Sequence, residues 1–479
     1  MKIHIRHGDI HLIHLRTRLP FKYGIATMTD VPQAFVRLWV EVGGKPVQGI
    51  ASDLLPPKWF TKDPAKPITE EVAEMLQVIQ NAVTLATGLE GATAFDLWRE
   101  LYAAQANWGA CQHLPPLLTH FGTSLVERAL IEAVCRAVGQ PFARMLHSNG
   151  LGLRLGEIHD TLHGESPRDH LSPAPLNQVI ARHTVGLADP LLEADIPEAD
   201  RLHDGLPQSL EACIHAYGLR HFKIKVTGNL DHDLERLGRL AAILRKGTQG
   251  DFAFSLDGNE QFKSLVEFRA YWERLQQMAS LKDLLRHLLF VEQPLHRDVA
   301  LAPELAGAFY DWPQRPPVII DESDADLSSL PTALELGYAG TSHKNCKGIF
   351  KGIANRCLLL QRQGEFPQNR FLMSGEDLCN IGPVALLQDL TVMAALGLES
   401  VERNGHHYCA GLSMFPPTVQ QQALSAHADL YQASPAGWPT LQIAAGTIRL
   451  ASLNQAPFGV GFVLDVEQFT LVNQFRAAL

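Results

Sequence analysis

The run His221-Phe222-Lys223-Ile224-Lys225-Val226 constrains the fold more than any other stretch of the chain. It reads as a short β-strand. Phe222, Ile224 and Val226 point to one side and Lys223 and Lys225 to the other, because side chains alternate along a strand. A lysine pair on the inner face of a buried strand is costly unless anions face it. The next strand-like runs each end in such an anion: 252–257 in Asp257, 289–292 in Glu292 and 318–321 in Asp321. The run after them, 340–344, ends in a lysine again, Lys344. These marked residues recur about one βα unit apart, roughly 30 residues.

Strand signals and amphipathic runs alternate from 183–188 through 221–226, 252–257, 289–292, 318–321, 340–344 and 370–374 to 399–402. In the clearest amphipathic run, 231–246, Leu234, Leu237, Ala241 and Leu244 form the apolar face, and Asp231 and Gly247 mark its ends. This order predicts an α/β fold of the (β/α)8 type, a TIM-like parallel barrel, with function at the C-terminal ends of its strands. An open doubly wound sheet is the alternative. It is disfavoured because no Gly-x-Gly-x-x-Gly turn follows a strand and because the charged residues recur on consecutive strands.

Residues 1–140 read as a separate α+β unit. Strands come first, interrupted by aromatic and Pro-rich loops at 19–30 and 49–59. Helices follow from Thr69 to Gly139. The barrel then occupies 141–435, with an exposed insertion at 159–178. The tail, 436–479, returns to β-like sequence at 447–450 and 460–464 and is expected to pack back on the N-terminal unit.

The 479 residues are 46% hydrophobic, enough for one large domain and a smaller one. A net charge of −10 without a basic stripe argues against nucleic acid as a partner. No apolar stretch reaches the roughly 18 residues of a membrane helix, and the charged N-terminus does not read as a signal peptide. The seven scattered cysteines, with no Cys-x-x-Cys, suit a reducing cytoplasm and offer no zinc framework.

Carboxylates converging at one barrel mouth repel one another unless a cation neutralises them. Asp257, Glu292 and Asp321 form an all-oxygen donor set, which favours Mg2+, with Mn2+ also suited, over zinc. Lys225 and Lys344, on the second and sixth strands, would then flank a bound substrate from roughly opposite sides. The reaction that needs this combination is abstraction of a proton α to a carboxylate, with the metal stabilising the resulting enediolate.

The motifs Lys223-Ile-Lys225, Asp257-Gly-Asn259, Val291-Glu292-Gln293-Pro294, Asp321-Glu322-Ser323 and Lys344-x-x-Lys347-Gly348 together resemble the enolase superfamily, and most closely its muconate-lactonizing-enzyme subgroup in the mandelate racemase/muconate lactonizing enzyme family. The resemblance spans roughly residues 180–405. It implies an N-terminal capping domain, Mg2+, a small carboxylate substrate, homo-oligomeric assembly and lyase or isomerase chemistry through an enediolate. It also implies Lys225 as the base on one face, Lys344 as base or acid on the other, and Lys223 as a neutraliser of substrate carboxylate. Asp257, Glu292 and Asp321 become the metal ligands, with Asn259 and Glu322 supporting them and Glu322 competing with Asp321 for the third position. The loops at 19–30 and 49–59 would close over the mouth. Tyr23, Ser374, Glu376 and Glu402 are the candidate substrate contacts.

The chain departs from the patterns of family members in three places. One glycine of the Gly-Gly after the distal lysine is replaced, in Lys347-Gly348-Ile349. The last strand carries Glu402-Arg403-Asn404 in place of the Asp-x-Asp of dipeptide epimerases, which lowers that reading. Ser374, Glu376 and Asp377 stand where mandelate-racemase relatives carry a histidine, which disfavours a Lys/His racemase. Racemase or epimerase, cycloisomerase, and synthase or dehydratase stay open. A Schiff-base lysine aldolase and a non-catalytic binding barrel are the alternatives from other classes; neither explains three strand-end acids. His343 is expected to face away from Lys344, Cys346 reads as a small buried residue, and His406-His407 reads as a loop pair.

Overall fold

The computed structural model describes residues 2–475. It opens with an antiparallel meander of Ile3–Tyr23, Ala26–Val42 and Lys45–Leu54. Gly43 and Gly44, at φ of 58° and 82°, make the turn into the third strand, a conformation side chains disfavour. The loop expected at 19–30 is instead the end of the first hairpin: Phe21, Lys22 and Tyr23 pair with Met28, Thr27 and Ala26. Pro20 is tolerated there because the register shifts between Arg16 and Phe21, where the ladder is already interrupted. The second expected loop, 49–59, is strand as far as Leu54, and the chain leaves the sheet just before Pro56 and Pro57, which cannot donate to a ladder.

Helices Ile68–Ala86, Ala94–Cys111 and Pro116–Val138 follow. The last ends at Gly139, whose φ of 70° forms a left-handed cap. It is buried along nearly its whole length, packing on the meander and reaching the barrel turn Asn345–Lys347. Glu127 on this helix accepts from the backbone N–H groups of Ile349 at 3.0 Å and Phe350 at 2.6 Å, capping the barrel helix Ile349–Glu365 that follows Lys344. The helix and sheet approach so closely that a Cβ at Gly49 would lie 1.9 Å from the Ala129 carbonyl oxygen. Gly49→Ala is therefore expected to destabilise the fold by ~3 kcal/mol, read as a lower urea midpoint with an unchanged slope.

The barrel strands are Gln178–Val185, His221–Lys225, Ala253–Asp257, Leu288–Glu292, Val318–Ile320, Gly340–His343, Leu372–Gly375 and Ser400–Arg403. All are parallel, and the ring closes where Ser400–Arg403 pairs with Ile180, Ala181, Arg182 and His183 of the first strand. The first strand lies earlier than the expected 183–188. Asp189 accepts from the Gly186 N–H at 2.6 Å and turns the chain away after Val185, while Thr447–Arg449 pairs with its beginning, Gln178–Ile180.

The segment 159–178 is largely exposed, as expected, but anchored at a few points. It forms short 3-10 turns that bury Leu162 and Leu171, and His159 is hydrogen-bonded to Asn355 at 2.8 Å. The tail divides its contacts: Thr447–Arg449 extends the first barrel strand, whereas Thr470–Leu471 pairs with Leu12 and His11 of the meander. Residues 460–464 are irregular and not strand, because no neighbouring strand offers them a ladder. All cysteines are free, and among the described residues no helix is long and apolar enough to cross a membrane.

Candidate active site

Strand register assembles the site. Lys225 pairs with Asp257, and Asp257 with Glu292, so these charged ends form one row across adjacent strands. Alternation turns Lys223 inward as well, since Phe222 and Ile224 are buried in the outer core. Lys223 Nζ lies 2.8 Å from Glu292 Oε1, 2.9 Å from Glu376 Oε2, 2.9 Å from Glu402 Oε2 and 3.0 Å from Asp257 Oδ2. An ammonium has three protons to donate, so these contacts share donors. Burial favours the neutral amine, but the charges of Asp257, Glu292, Glu376 and Glu402 prevail and hold Lys223 well above the ordinary lysine range.

Lys225 Nζ donates to Asp257 Oδ2 at 2.5 Å, and Asp257 Oδ1 accepts from the Asn259 N–H at 2.9 Å. Across the mouth, Lys344 Nζ lies 2.7 Å from Asp321 Oδ2 and 2.6 Å from Glu376 Oε2. Burial opposes its charge, yet Asp321 and Glu376 hold this ammonium well above its usual range too. His343, buried at 2% exposure, hydrogen-bonds Asn345 and takes no part in the mouth, as expected.

Two of the three expected acids, Glu292 and Asp321, come together in the structure with Glu376. Glu292, Asp321 and Glu376 offer oxygens within 4.8 Å of one another, whereas Asp257 stands outside that group, drawn to the lysine pair of its neighbouring strand. Against the raising effect of burial, Lys223 and Lys344 hold Glu376 well below the ordinary carboxylate range. Glu292 moves the other way, raised by burial and by the charges of Asp257 and Glu376, and its Oε2 is buried without a hydrogen-bond partner. Glu322 is buried beside Asp321; it accepts weakly from Asn259 Nδ2 at 3.4 Å and is pushed up to about 8 by burial and by the charges of Asp321, Glu260 and Asp257.

Above these groups lies a small cavity of about 40 Å³. Lys223, Lys225, Asp257, Asn259, Asp321 and Lys344 form its floor, and Phe21, Tyr23, Met28, Pro56 and Trp59 of the N-terminal unit roof it. The Trp59 ring stands 5.5 Å from Lys344 Nζ. Of the candidate substrate contacts, Tyr23 and Glu402 line the cavity, although the Tyr23 hydroxyl donates to the Pro57 carbonyl at 2.8 Å. Ser374 and Glu376 lie behind the wall. Glu376 is pulled beneath the floor by Lys223 and Lys344, and Ser374 donates to its Oε1 at 2.5 Å.

Two supporting residues, Arg182 and Thr184, escape a reading of the chain, and two residues of the motifs, Lys347 and Gln293, gain a role. Arg182 is buried on the first strand and reaches Ser374 Oγ and Glu376 Oε1, the latter at 3.5 Å; Thr184 donates to Glu402 Oε1 at 2.7 Å. The signal was the same inward alternation that marks Lys223 and Lys225. Lys347 Nζ lies 3.2 Å from Asp321 Oδ1 and donates to the Ser342 carbonyl at 2.7 Å, while Gln293 Oε1 accepts from the Asp321 N–H at 2.7 Å. Both hold Asp321 in place.

No family model and no curated protein sequence matches this chain. Solved structures do. A mandelate racemase/muconate lactonizing protein from Herpetosiphon aurantiacus superposes with a TM-score of 0.58 at 15% identity, over 96% of this chain and 99% of that one. The muconate lactonizing enzyme from Pseudomonas fluorescens complexed with muconolactone gives 0.58 at 16%, over 97% and 98%. An enolase from Bradyrhizobium complexed with magnesium and mandelic acid gives 0.58 at 13%, over 98% and 99%. The chain has the capped-barrel fold that these mandelate racemase/muconate lactonizing and enolase proteins share.

Proposed function

We propose that this chain is an enolase-superfamily lyase or isomerase that removes the proton α to the carboxylate of a small organic acid with the help of Mg2+ or Mn2+. The reading rests on the row Lys225, Asp257, Glu292 facing Asp321 and Lys344 across one roofed cavity. Residues 1–140 would serve as the cap, 141–435 as the catalytic barrel, and 436–479 as a tail. Free cysteines throughout suit a cytoplasmic protein, and the family resemblance suggests a homo-oligomer.

The donor set fits a hard divalent ion. Glu292 and Asp321 bring buried carboxylate oxygens together without histidine or cysteine, and the Glu292 Oε2 has no partner of its own. Glu376 is close enough to complete the set, while Asp257 shares Lys223 with Glu292 and would join it if that ammonium moved away. When bound, the ion supplies positive charge to the carboxylate oxygens of an enediolate.

This chain's residues then divide the work. Trp59 and the hairpin carrying Phe21 and Tyr23 exclude water. Lys223 faces the substrate carboxylate. Lys225 and Lys344 approach the α-carbon from the second and sixth strands. Lys344 can accept a proton once Asp321 and Glu376 no longer both hold it as an ammonium. A lysine aldolase would leave the strand-end acids Asp257, Glu292 and Asp321 without a role.

The test is a deuterium-exchange screen of acid-sugar, amino-acid, dipeptide and aromatic-acid libraries in D2O with Mg2+, read by NMR. Exchange at the α-position that stops on chelation is expected. Chelator-insensitive turnover with borohydride trapping of an adduct on Lys225 or Lys344 would overturn the reading.

Metal affinity is also expected to depend on pH. The folded-state pKa of Glu292 lies well above its ordinary value, and that of Glu322 at about 8, so the metal-free site carries protons at neutral pH. Ion binding displaces them, so affinity rises with pH, by up to ~10-fold per unit for each proton released. Calorimetry in buffers of different ionisation enthalpy should detect that release. Affinity that is independent of pH between about 6 and about 8 would contradict it.

A further inference from the structure

Outside the acidic mouth, on the outer side of the first and last barrel strands, sits a group of softer ligands. His183 follows the inward-facing Arg182 and so turns outward, where it is buried at 1% exposure. Cys213, on helix Leu210–Tyr217, is 0% exposed, and His407, just after the eighth strand, is 2% exposed. These residues offer one ligand atom each, all within 4.8 Å of one another. Cys213 Sγ and His407 Nδ1 are 3.5 Å apart. That separation matches the sulfur–nitrogen edge of a tetrahedral zinc site, about 3.6 Å for bonds of about 2.3 and about 2.0 Å. His406 Nε2 lies 3.0 Å from His183 Nδ1 and holds that ring from behind, as a ligating imidazole usually requires. The imidazoles of His183, His406 and His407 hydrogen-bond one another or Cys213, with no carboxylate partner among the described residues.

We propose that His183, Cys213 and His407 form a second metal site, specific for an ion of the zinc class and distinct from the carboxylate site at the barrel mouth. Thiolate and imidazole donors without carboxylate select Zn2+ or Co2+ and reject Mg2+. Binding forms a sulfur–metal bond as the Cys213 thiol proton leaves to solvent; no redox change is involved. With only these protein ligands, the fourth position falls to water.

The location gives the ion a structural role. It ties the first strand, the helix after it and the loop after the eighth strand into one unit. Thr184, next to His183, donates to Glu402. Tyr408, next to His407, stacks on Phe21 of the cap at 4.1 Å, and Arg18 of the cap donates to the His407 carbonyl at 3.4 Å. A metal clip here would fix both Glu402 and the seating of the cap over the cavity.

The test uses the full chain, stripped with chelator and then saturated with Mg2+ so that the carboxylate site is filled. Titration with Co2+ is expected to give a thiolate-to-cobalt charge-transfer band that saturates at one equivalent and is displaced by Zn2+. The band should vanish in Cys213→Ser and persist in Asp321→Asn. Zn2+ should raise the melting temperature of the parent by at least about 3 °C and leave Cys213→Ser unmoved. Zinc-edge absorption of the loaded parent needs no variant and should resolve one sulfur at about 2.3 Å with nitrogens at about 2.0 Å. A cobalt spectrum without the charge-transfer band, a band that survives Cys213→Ser, or a zinc shell of oxygen alone would each overturn the proposal. None of these outcomes bears on the carbon-acid reaction, which is read by exchange.

Discussion

Replacing Lys344 with alanine is expected to lower α-proton exchange of a turned-over carboxylate by about 10³-fold, within the range a positioned general base contributes. Among the described residues, Lys344 Nζ is the only amine on the sixth-strand side of the cavity floor, 2.7 Å from Asp321. Lys347, the next lysine along the chain, is committed beneath it to the Ser342 carbonyl and Asp321 and does not line the cavity. Lys225→Ala should cost as much on the opposite face. The pair of variants also distinguishes reaction types. A racemase or epimerase uses both lysines, so each variant should lose exchange from one stereoisomer only. A cycloisomerase or dehydratase needs one base, so one variant should lose turnover while the other retains part of it. If either variant exchanged every substrate stereoisomer as fast as the parent, the role of that lysine would be refuted.

The second large effect falls on stability. Arg128→Ala is expected to cost about 3–5 kcal/mol, the penalty for leaving a buried charge without its partner. Arg128 has no exposed side-chain surface. It donates to Asp53 at 2.7 Å, to the Ser52 carbonyl at 3.0 Å and to the Ser124 carbonyl at 3.1 Å, tying the third strand of the meander to the buried helix. Asp53 is already pushed up to about 6, because burial and the charge of Asp389 outweigh the pull of Arg128.

Removing Arg128 raises Asp53 further. A carboxyl whose folded pKa exceeds its unfolded value binds an extra proton in the folded state. Its contribution to stability is therefore present at low pH and lost as pH rises through the folded value. The deficit of Arg128→Ala should thus be larger at about pH 8 than at about pH 5, measured by urea denaturation. A deficit that is equal at both, or larger in acid, would show that Asp53 finds another cation.

Much of the barrel was legible because its signals are local. Residues at strand ends, such as Asp257, Glu292 and Lys344, recur with the βα unit, and alternation within 221–225 fixes which side chains face inward. The strand boundaries at 221, 253, 288, 318 and 340 accordingly fall within a residue or two of their expected places. What the sequence hid depends on partners far along the chain. The first strand begins at Gln178 because Thr447–Arg449 arrives to pair with it. Phe21 and Tyr23 are strand because Met28 and Ala26 lie opposite them.

The same limit governs the acids. Spacing identifies Asp257 as a member of the row, but its place relative to Glu292 and Asp321 depends on where Lys223 and Lys225 put their ammonium groups. Glu376 belongs with Glu292 and Asp321 because Lys223 and Lys344 converge on it from different strands. Arg182 precedes the strand signal at 183–188, and Thr184 within it carries no charge to mark the inner face.

The most direct test of the central claim is an anomalous-difference map from crystals grown with Mn2+. The expected result is one peak about 2.1 Å from carboxylate oxygens of Glu292 and Asp321, with Lys223 Nζ withdrawn from the position it now shares among four acids and Lys225 and Lys344 on opposite sides of the ion. The same map decides between Asp257 and Glu376 as the third ligand. A saturated crystal with no peak at Glu292 and Asp321, and with Lys223 still bonded to Asp257, Glu292, Glu376 and Glu402, would contradict the claim.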